Sequence, residues 1–195
     1  MLKSTPLLAA LALGSVALTA CSAFFNDETE VVAEAQAGNF YALETETLAG
    51  EAVGLDQYQG QVALVVNVAS QCGYTGQYAG LQKLHETYAD RGLVVMGFPS
   101  GDFGGQEFDS AEEIRDFCDS RFGVTFPMFA KGSVKAGESQ SEIYAFLGGA
   151  TGQLPGWNFG KYLVNKDGTV LQFFETRTAP DDAELIAAIE AALDA

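Results

Sequence analysis

Apolar positions along the chain follow two different spacings, and the switches between them outline the elements. Residues 61–68 (QVALVVNV) form a nearly unbroken, β-branched run, the pattern of a strand buried on both faces of a sheet. Residues 92–99 (GLVVMGFP) repeat that pattern. Between them, Leu81, Leu84 and Tyr88 recur at helical spacing within 76–91 and predict a helix with one stripe turned to the sheet. Two such strands joined by a helix are expected to pair in parallel. A second helix is expected over 111–121, with Ser110 as its cap and Glu113 completing a capping box. Residues 124–129 contain Pro127 and read as a short irregular edge, and Ser139 or Ser141 opens a helix through Leu147. Strands over 159–165 and 169–174 flank the turn Asn165-Lys166-Asp167-Gly168. Asp181 opens a closing helix to Leu193, with Leu185, Ile189 and Leu193 as its buried stripe. Weaker strand signals over 39–46 and 51–58 suggest an opening hairpin around Ala49-Gly50. No segment repeats another.

Alternating strands and helices, with 22 glycines and 14 phenylalanines, place the chain in the α/β class. The net charge of −16 argues against nucleic acid as a partner, because too few cations are present to neutralise phosphates. It also argues against adhesion to anionic lipid by charge alone.

The first twenty residues form a separate unit. Lys3 is followed by an apolar stretch from Pro6 to Ala17, too short to span a bilayer but suited to the core of an export signal. Leu18-Thr19-Ala20-Cys21 then resembles the lipobox of bacterial lipoproteins, which implies cleavage before Cys21 and lipid on its thiol. An ordinary signal peptide with a chance cysteine after its cut site is the plainer alternative. Ser22, where an aspartate would signal retention at the inner membrane, favours the outer membrane of a bacterial envelope, with the domain facing the periplasm. Residues 21–38 are acidic and Ala-rich and read as a tether, leaving 39–195 as one domain. That domain, about 150 to 160 residues, is long enough for one sizeable core.

Chemistry concentrates where the first apolar strand gives way to the first helix, at Asn67-Val68-Ala69-Ser70-Gln71-Cys72-Gly73-Tyr74-Thr75. Free N–H groups and the positive end of a helix favour an anion there. A cysteine so placed favours its thiolate, which is the nucleophile. The alternative for Cys72 is a buried small hydrophobe. A glycine-rich loop over 100–107 follows the second strand at its carboxyl end, where α/β proteins place function.

The order of elements is thioredoxin-like, with a central mixed sheet flanked by helices. The segment around Cys72, Gly97-Phe98-Pro99 with Phe103-Gly104-Gly105-Gln106-Glu107, Phe126-Pro127-Met128-Phe129 and Trp157-Asn158-Phe159 together resemble the glutathione peroxidase family. The resemblance covers about residues 40–193. It implies a catalytic tetrad of Cys72, Gln106, Trp157 and Asn158. It also implies reduction of hydrogen peroxide and organic or lipid hydroperoxides, with no metal or other cofactor. Such chemistry needs a thiolate aimed at one oxygen and a proton for the departing alkoxide. The only histidine, His85, is expected on a helix surface, so donors such as the Gln106 and Asn158 amides and the Trp157 indole must serve. Taken singly, Gln106 reads equally as a loop cap, Trp157 as packing and Asn158 as a turn residue.

Cys118, at helical spacing with Ile114, reads from its position as a core-facing residue. The family resemblance implies instead that it resolves a Cys72 sulfenic acid as a disulfide. A thioredoxin-like protein would then reduce that disulfide, with glutathione the lesser candidate. A disulfide needs Cα atoms within about 7 Å, so the helix carrying Cys118 is expected to unwind. The sequence departs from the family at Ser100-Gly101-Asp102, where Cys-Asn-Gln is usual. Asp102, if turned toward Cys72, would oppose its ionisation. Two other readings stay open: an envelope redox sensor using the Cys72–Cys118 pair, and a thiol–disulfide oxidoreductase. The second lacks its usual C-x-x-C pair, since position 75 is Thr75. No long insertion falls within 131–156, so a monomer is expected.

Overall fold

The computed structural model describes Met1 and residues 38–195. The expected leader and tether, Cys21 included, fall almost wholly outside the described residues.

Four strands form the central sheet in the order β4-β3-β5-β6. β3 (Val62–Val68) and β4 (Leu93–Pro99) pair in parallel, and β3 also pairs antiparallel with β5 (Lys161–Val164). β6 (Val170–Phe174) completes the hairpin with β5. The sheet is therefore mixed, and every residue of β3 and β4 is buried. Each large apolar side chain removed from water there contributes about 1.5–3 kcal/mol, which makes these two strands the anchor of everything built at their carboxyl ends.

Helices cover both faces, in the thioredoxin-like manner. One face carries α1 (Gln77–Tyr88), α2 (Ala111–Phe122) and α4 (Ala183–Asp194), with Leu81, Leu84, Ile114, Leu185 and Ile189 packed against Leu64 and Val66. The other face carries α3 (Glu142–Thr151), whose Ile143, Tyr144 and Leu147 meet Val65 and Met96. Both arms of the capping box at Ser110 and Glu113 form, so α2 starts where its sequence places it. Among the described residues no helix is long and apolar enough to cross a membrane.

Several boundaries differ from the sequence reading, each for a local reason. The opening hairpin shrinks to β1 (Glu44–Glu46) and β2 (Ala52–Gly54), a separate two-stranded sheet. Phe40–Ala42 and Leu55–Tyr58 are 3₁₀ turns instead of strand. The Asn39 side chain accepts the Tyr41 N–H to start the first of these turns, and the Leu43 N–H closes it on the Phe40 carbonyl at 3.2 Å. Ser141, not Ser139, caps α3, which runs past Leu147 to Thr151. Gly148 there serves packing, because a Cβ on it would run into the Leu154 side chain. Asp182, not Asp181, caps α4 through the Glu184 N–H at 2.9 Å.

Candidate active site

After β3 the chain turns through residues 69–76 before α1, and Thr75 ties that turn together. Its hydroxyl accepts the Cys72 N–H at 3.0 Å and lies 2.6 Å from the Cys72 carbonyl and 3.0 Å from that of Ala69. Cys72 is 9 % exposed and free. The donor that reaches its sulfur is the Tyr74 N–H, 3.4 Å from Sγ. This refines the expectation of a helix terminus at the thiol. α1 starts only at Gln77, and its first N–H groups are taken by the Tyr74 and Thr75 carbonyls. The sulfur is served by the turn, not by the helix end.

A second wall comes from the loop after β4. Gly104 and Gly105 both take left-handed backbone, at φ 71° and 63°, which glycine adopts without cost. This bend brings the Gln106 carbonyl to the Gln71 N–H at 2.9 Å, next to Cys72. Glu107 is buried, and its Oε1 accepts the N–H groups of Ser70 at 3.1 Å and Phe108 at 2.9 Å. Burial pushes the Glu107 carboxyl upward, and those hydrogen bonds only partly offset the push. Asp102 turns away from this wall. Its carboxylate accepts the Ser133 hydroxyl at 2.9 Å and the N–H groups of Val134 at 2.7 Å and Lys135 at 3.1 Å. Burial would raise the Asp102 carboxyl, but these donors together hold it below the usual range. The feared charge at Cys72 is thus spent on a neighbouring loop.

The third wall is the turn before β5. Asn67, at the end of β3, clasps it: its Nδ2 donates to the Trp157 carbonyl at 3.0 Å, and its own carbonyl accepts the Phe159 N–H at 2.6 Å. Asn158 is fully buried and its Nδ2 donates to Gln106 Oε1 at 3.1 Å. One amide pair therefore joins the second and third walls across 52 residues of chain. The Trp157 ring lies 5.5 Å from that of Phe103 and is 39 % exposed. With Tyr74, Gly156, Glu175, Thr176 and Arg177 it lines a cleft of about 560 Å³, and Tyr74 is the residue whose N–H reaches the Cys72 sulfur.

Cys118 belongs to the same apolar cluster as Cys72 but is 1 % exposed and borders a different cleft, of about 350 Å³. The Tyr78 phenol faces its thiol without a hydrogen bond of ordinary geometry. Burial is the main cause that pushes the Cys118 thiol up to about 11, with Tyr78 opposing and Glu107 and Asp119 adding to the rise. His85 is not a plain surface residue: it is half-buried, edge-on to Phe126 at 6.1 Å, and desolvation lowers its pKa. Three residues that the sequence reading passed over help to build the site. Thr75 and Glu107 offered no periodic signal. Lys161 did: it alternates with Phe159 and Leu163 and so had to point inward with them.

Known proteins are similar to this chain in sequence and fold. A model of the glutathione peroxidase family matches residues 40–148. A glutathione peroxidase of Lactococcus lactis subsp. cremoris is 43% identical over 150 residues, covering 75% of this chain and 95% of the relative. A hydroperoxy fatty acid reductase, Gpx2, of Synechocystis is 45% identical over 147 residues, covering 75% and 94%. The crystal structure of Trgpx in apo form superposes with a TM-score of 0.66 at 31% identity, covering 82% of this chain and 97% of that one. The chain belongs to the glutathione peroxidase family.

Proposed function

We propose that this peroxidase reduces hydroperoxides at Cys72, with Gln106, Trp157 and Asn158 as donors to the sulfur and the leaving oxygen. The observation that carries the reading is the amide pair of Asn158 and Gln106, tied through the Gln106 carbonyl to the residue beside Cys72. The thiolate attacks one peroxide oxygen, an S–O bond forms and the O–O bond breaks. The alkoxide or hydroxide takes a proton, leaving Cys72 as sulfenic acid. The cleft walled by Trp157 and by Tyr74, whose N–H reaches the Cys72 sulfur, suits organic hydroperoxides, including the hydroperoxy fatty acids for which the Synechocystis relative is named.

In the second half of the cycle Cys118 attacks the Cys72 sulfur, water leaves and a disulfide forms. A thiol held near a pKa of about 11 is a poor nucleophile at neutral pH, so Cys118 must first leave its apolar setting. Opening of α2 supplies that step. A thioredoxin-like dithiol then reduces the disulfide by thiolate exchange. The chain acts as a monomer, lipid-anchored through Cys21 to the bacterial outer membrane and facing the periplasm. Steady-state consumption of hydrogen peroxide and a fatty acid hydroperoxide, with a thioredoxin system and with glutathione, tests this reading. The deep burial of Cys118 also suits a redox sensor that resolves slowly, and absence of turnover with either donor would favour that alternative.

A further inference from the structure

Lys161 is fully buried in β5, and an ammonium so placed is costly unless something compensates it. It pairs with Val66 and Phe174, which puts its side chain on the face that holds the Cys72 cluster. The ion pairs among the described residues are Arg91–Asp194 and Lys131–Asp109, so no carboxylate neutralises it. Its hydrogen bond goes to the Phe159 carbonyl at 2.7 Å. Phe159 is the one non-glycine among the described residues with positive φ, at 66°. The left-handed region costs such a residue roughly 1–2 kcal/mol. Both polar groups of its backbone are engaged, the N–H by Asn67 and the carbonyl by Lys161. The two residues immediately before this clamped position are Trp157 and Asn158.

We propose that Lys161 is a positioning residue for peroxide reduction: its ammonium holds the Phe159 carbonyl and so fixes the strained turn that presents the Trp157 indole and the Asn158 amide. The proposal rests on Cys72 being the attacking thiol. A methionine would fill the same space without desolvating a charge, so packing alone gives no reason for lysine here. The charged form makes the stronger hydrogen bond, about twice a neutral one. Burial pushes Lys161 down from 10.5 to about 7, so the clamp weakens as pH rises through neutrality.

Other titratable groups on the surrounding elements are accounted for. β3 has none, and Phe174 faces Lys161 from β6, with Glu175 exposed beyond it. On α4, Glu184 is bonded to Gln172 and Glu190 to the Tyr88 hydroxyl. α1 contributes Tyr78, raised well above 10, and His85, which meets Phe126 edge-on; α2 contributes Cys118. His85 is the group on these elements that could be confused with Lys161 near neutral pH.

Lys161→Met separates positioning from structure. Stopped-flow oxidation by hydrogen peroxide should slow on the order of 10²-fold, the cost of a small misplacement of catalytic groups. The melting temperature should hold or rise. Trp157 is the only tryptophan, so its emission reports the turn directly. In a Cys72→Ser background, emission should titrate with a midpoint near 7, and adding Lys161→Met should remove that transition, whereas a His85 transition would survive. An unchanged oxidation rate and pH profile in Lys161→Met would overturn the proposal. Should that variant not fold, flat emission between pH 6 and 8 in Cys72→Ser overturns it, as does a transition that His85→Gln removes, and a transition that persists with His85→Gln supports it. Peroxide consumption that survives Cys72→Ser would instead refute the attacking-thiol reading, leaving the emission titration to judge the clamp.

Discussion

Cys72 and Cys118 lie in one apolar cluster on one face of the sheet, yet their surroundings differ in almost every respect. Cys72 sits in a turn whose backbone amides are already oriented, with the Tyr74 N–H at its sulfur and Tyr74 itself lining an aromatic-walled cleft. Cys118 sits inside a helix, where every nearby N–H is committed to the helix ladder, and burial holds its thiol up to about 11. Amphipathic packing alone yields the second environment. The first requires three separate segments to converge, namely residues 69–76, 100–107 and 157–160. On the function proposed above, reactivity follows from that convergence and not from cysteine burial, since both thiols are buried.

The harshest test of the comparison removes one sulfur at a time. Cys72→Ser should abolish peroxide reduction with the circular dichroism and melting temperature close to native, because serine keeps the Thr75-tied turn. Measurable turnover in that variant would mean that the convergent site is not where peroxide reacts.

Cys118→Ser should act on the other half of the cycle. The first oxidation should proceed at close to the native rate, and the Cys72 sulfenic acid should persist long enough for dimedone to trap it. Thioredoxin-dependent turnover should collapse, since such donors attack a disulfide. Full turnover with a thioredoxin system would demote Cys118 to a packing residue and return glutathione as the better donor.

Gln106→Ala strikes the joint between two walls. It deletes the partner of the Asn158 amide while its backbone carbonyl can still hold the Gln71 N–H. Loss of one preorganised donor typically costs on the order of 10²–10³ in rate. Stopped-flow traces should show that loss in the oxidation step, with reduction of the disulfide unchanged. Oxidation at the native rate would leave Gln106 as a loop cap.

The same contrast explains what was legible in the sequence. β3, β4 and α2 are strong local patterns, and Ser110 with Glu113 fixed the start of α2 from four residues. Cys72 stands out by its place between strand and helix, with a buried hydrophobe as the alternative, whereas Gln106, Trp157 and Asn158 emerge only through joint resemblance to a family, because each alone has an equally good structural reading. What joins them is tertiary: the Asn67 clasp on the 157–160 turn and the left-handed Gly104 and Gly105 leave no periodic trace. The opening segment reads as strand because its apolar pair, Phe40-Tyr41, suits strand propensity, while the Asn39 cap and the Leu43 N–H bond to the Phe40 carbonyl wind it into a turn. Asp102 could not be placed because its partners, Ser133 to Lys135, lie some thirty residues away in an irregular loop.

The smallest effect is the most informative about how the two thiols meet. Gly123 ends α2 at φ 58°, and N–H groups from this cap reach the Cys118 and Asp119 carbonyls. No atom lies within 4 Å of an added Cβ there, so Gly123→Ala is penalised by its backbone angle alone, at about 1 kcal/mol. Ser110→Ala removes the opposite cap at a similar cost of about 1 kcal/mol. Both variants should lower the melting temperature by about 2–4 °C. If Cys118 is released by fraying of the last turn, Gly123→Ala raises the open population about fivefold, and Ser110→Ala changes it little. Loss of the second thiol after one equivalent of peroxide, followed by rapid quenching and alkylation, should accelerate accordingly. Equal acceleration in both variants would mean that the whole helix opens as a unit. No acceleration in either would show that Cys118 reaches Cys72 with α2 intact, and the contrast between a ready thiol and a latent one would then lie in the redox partner instead of the helix.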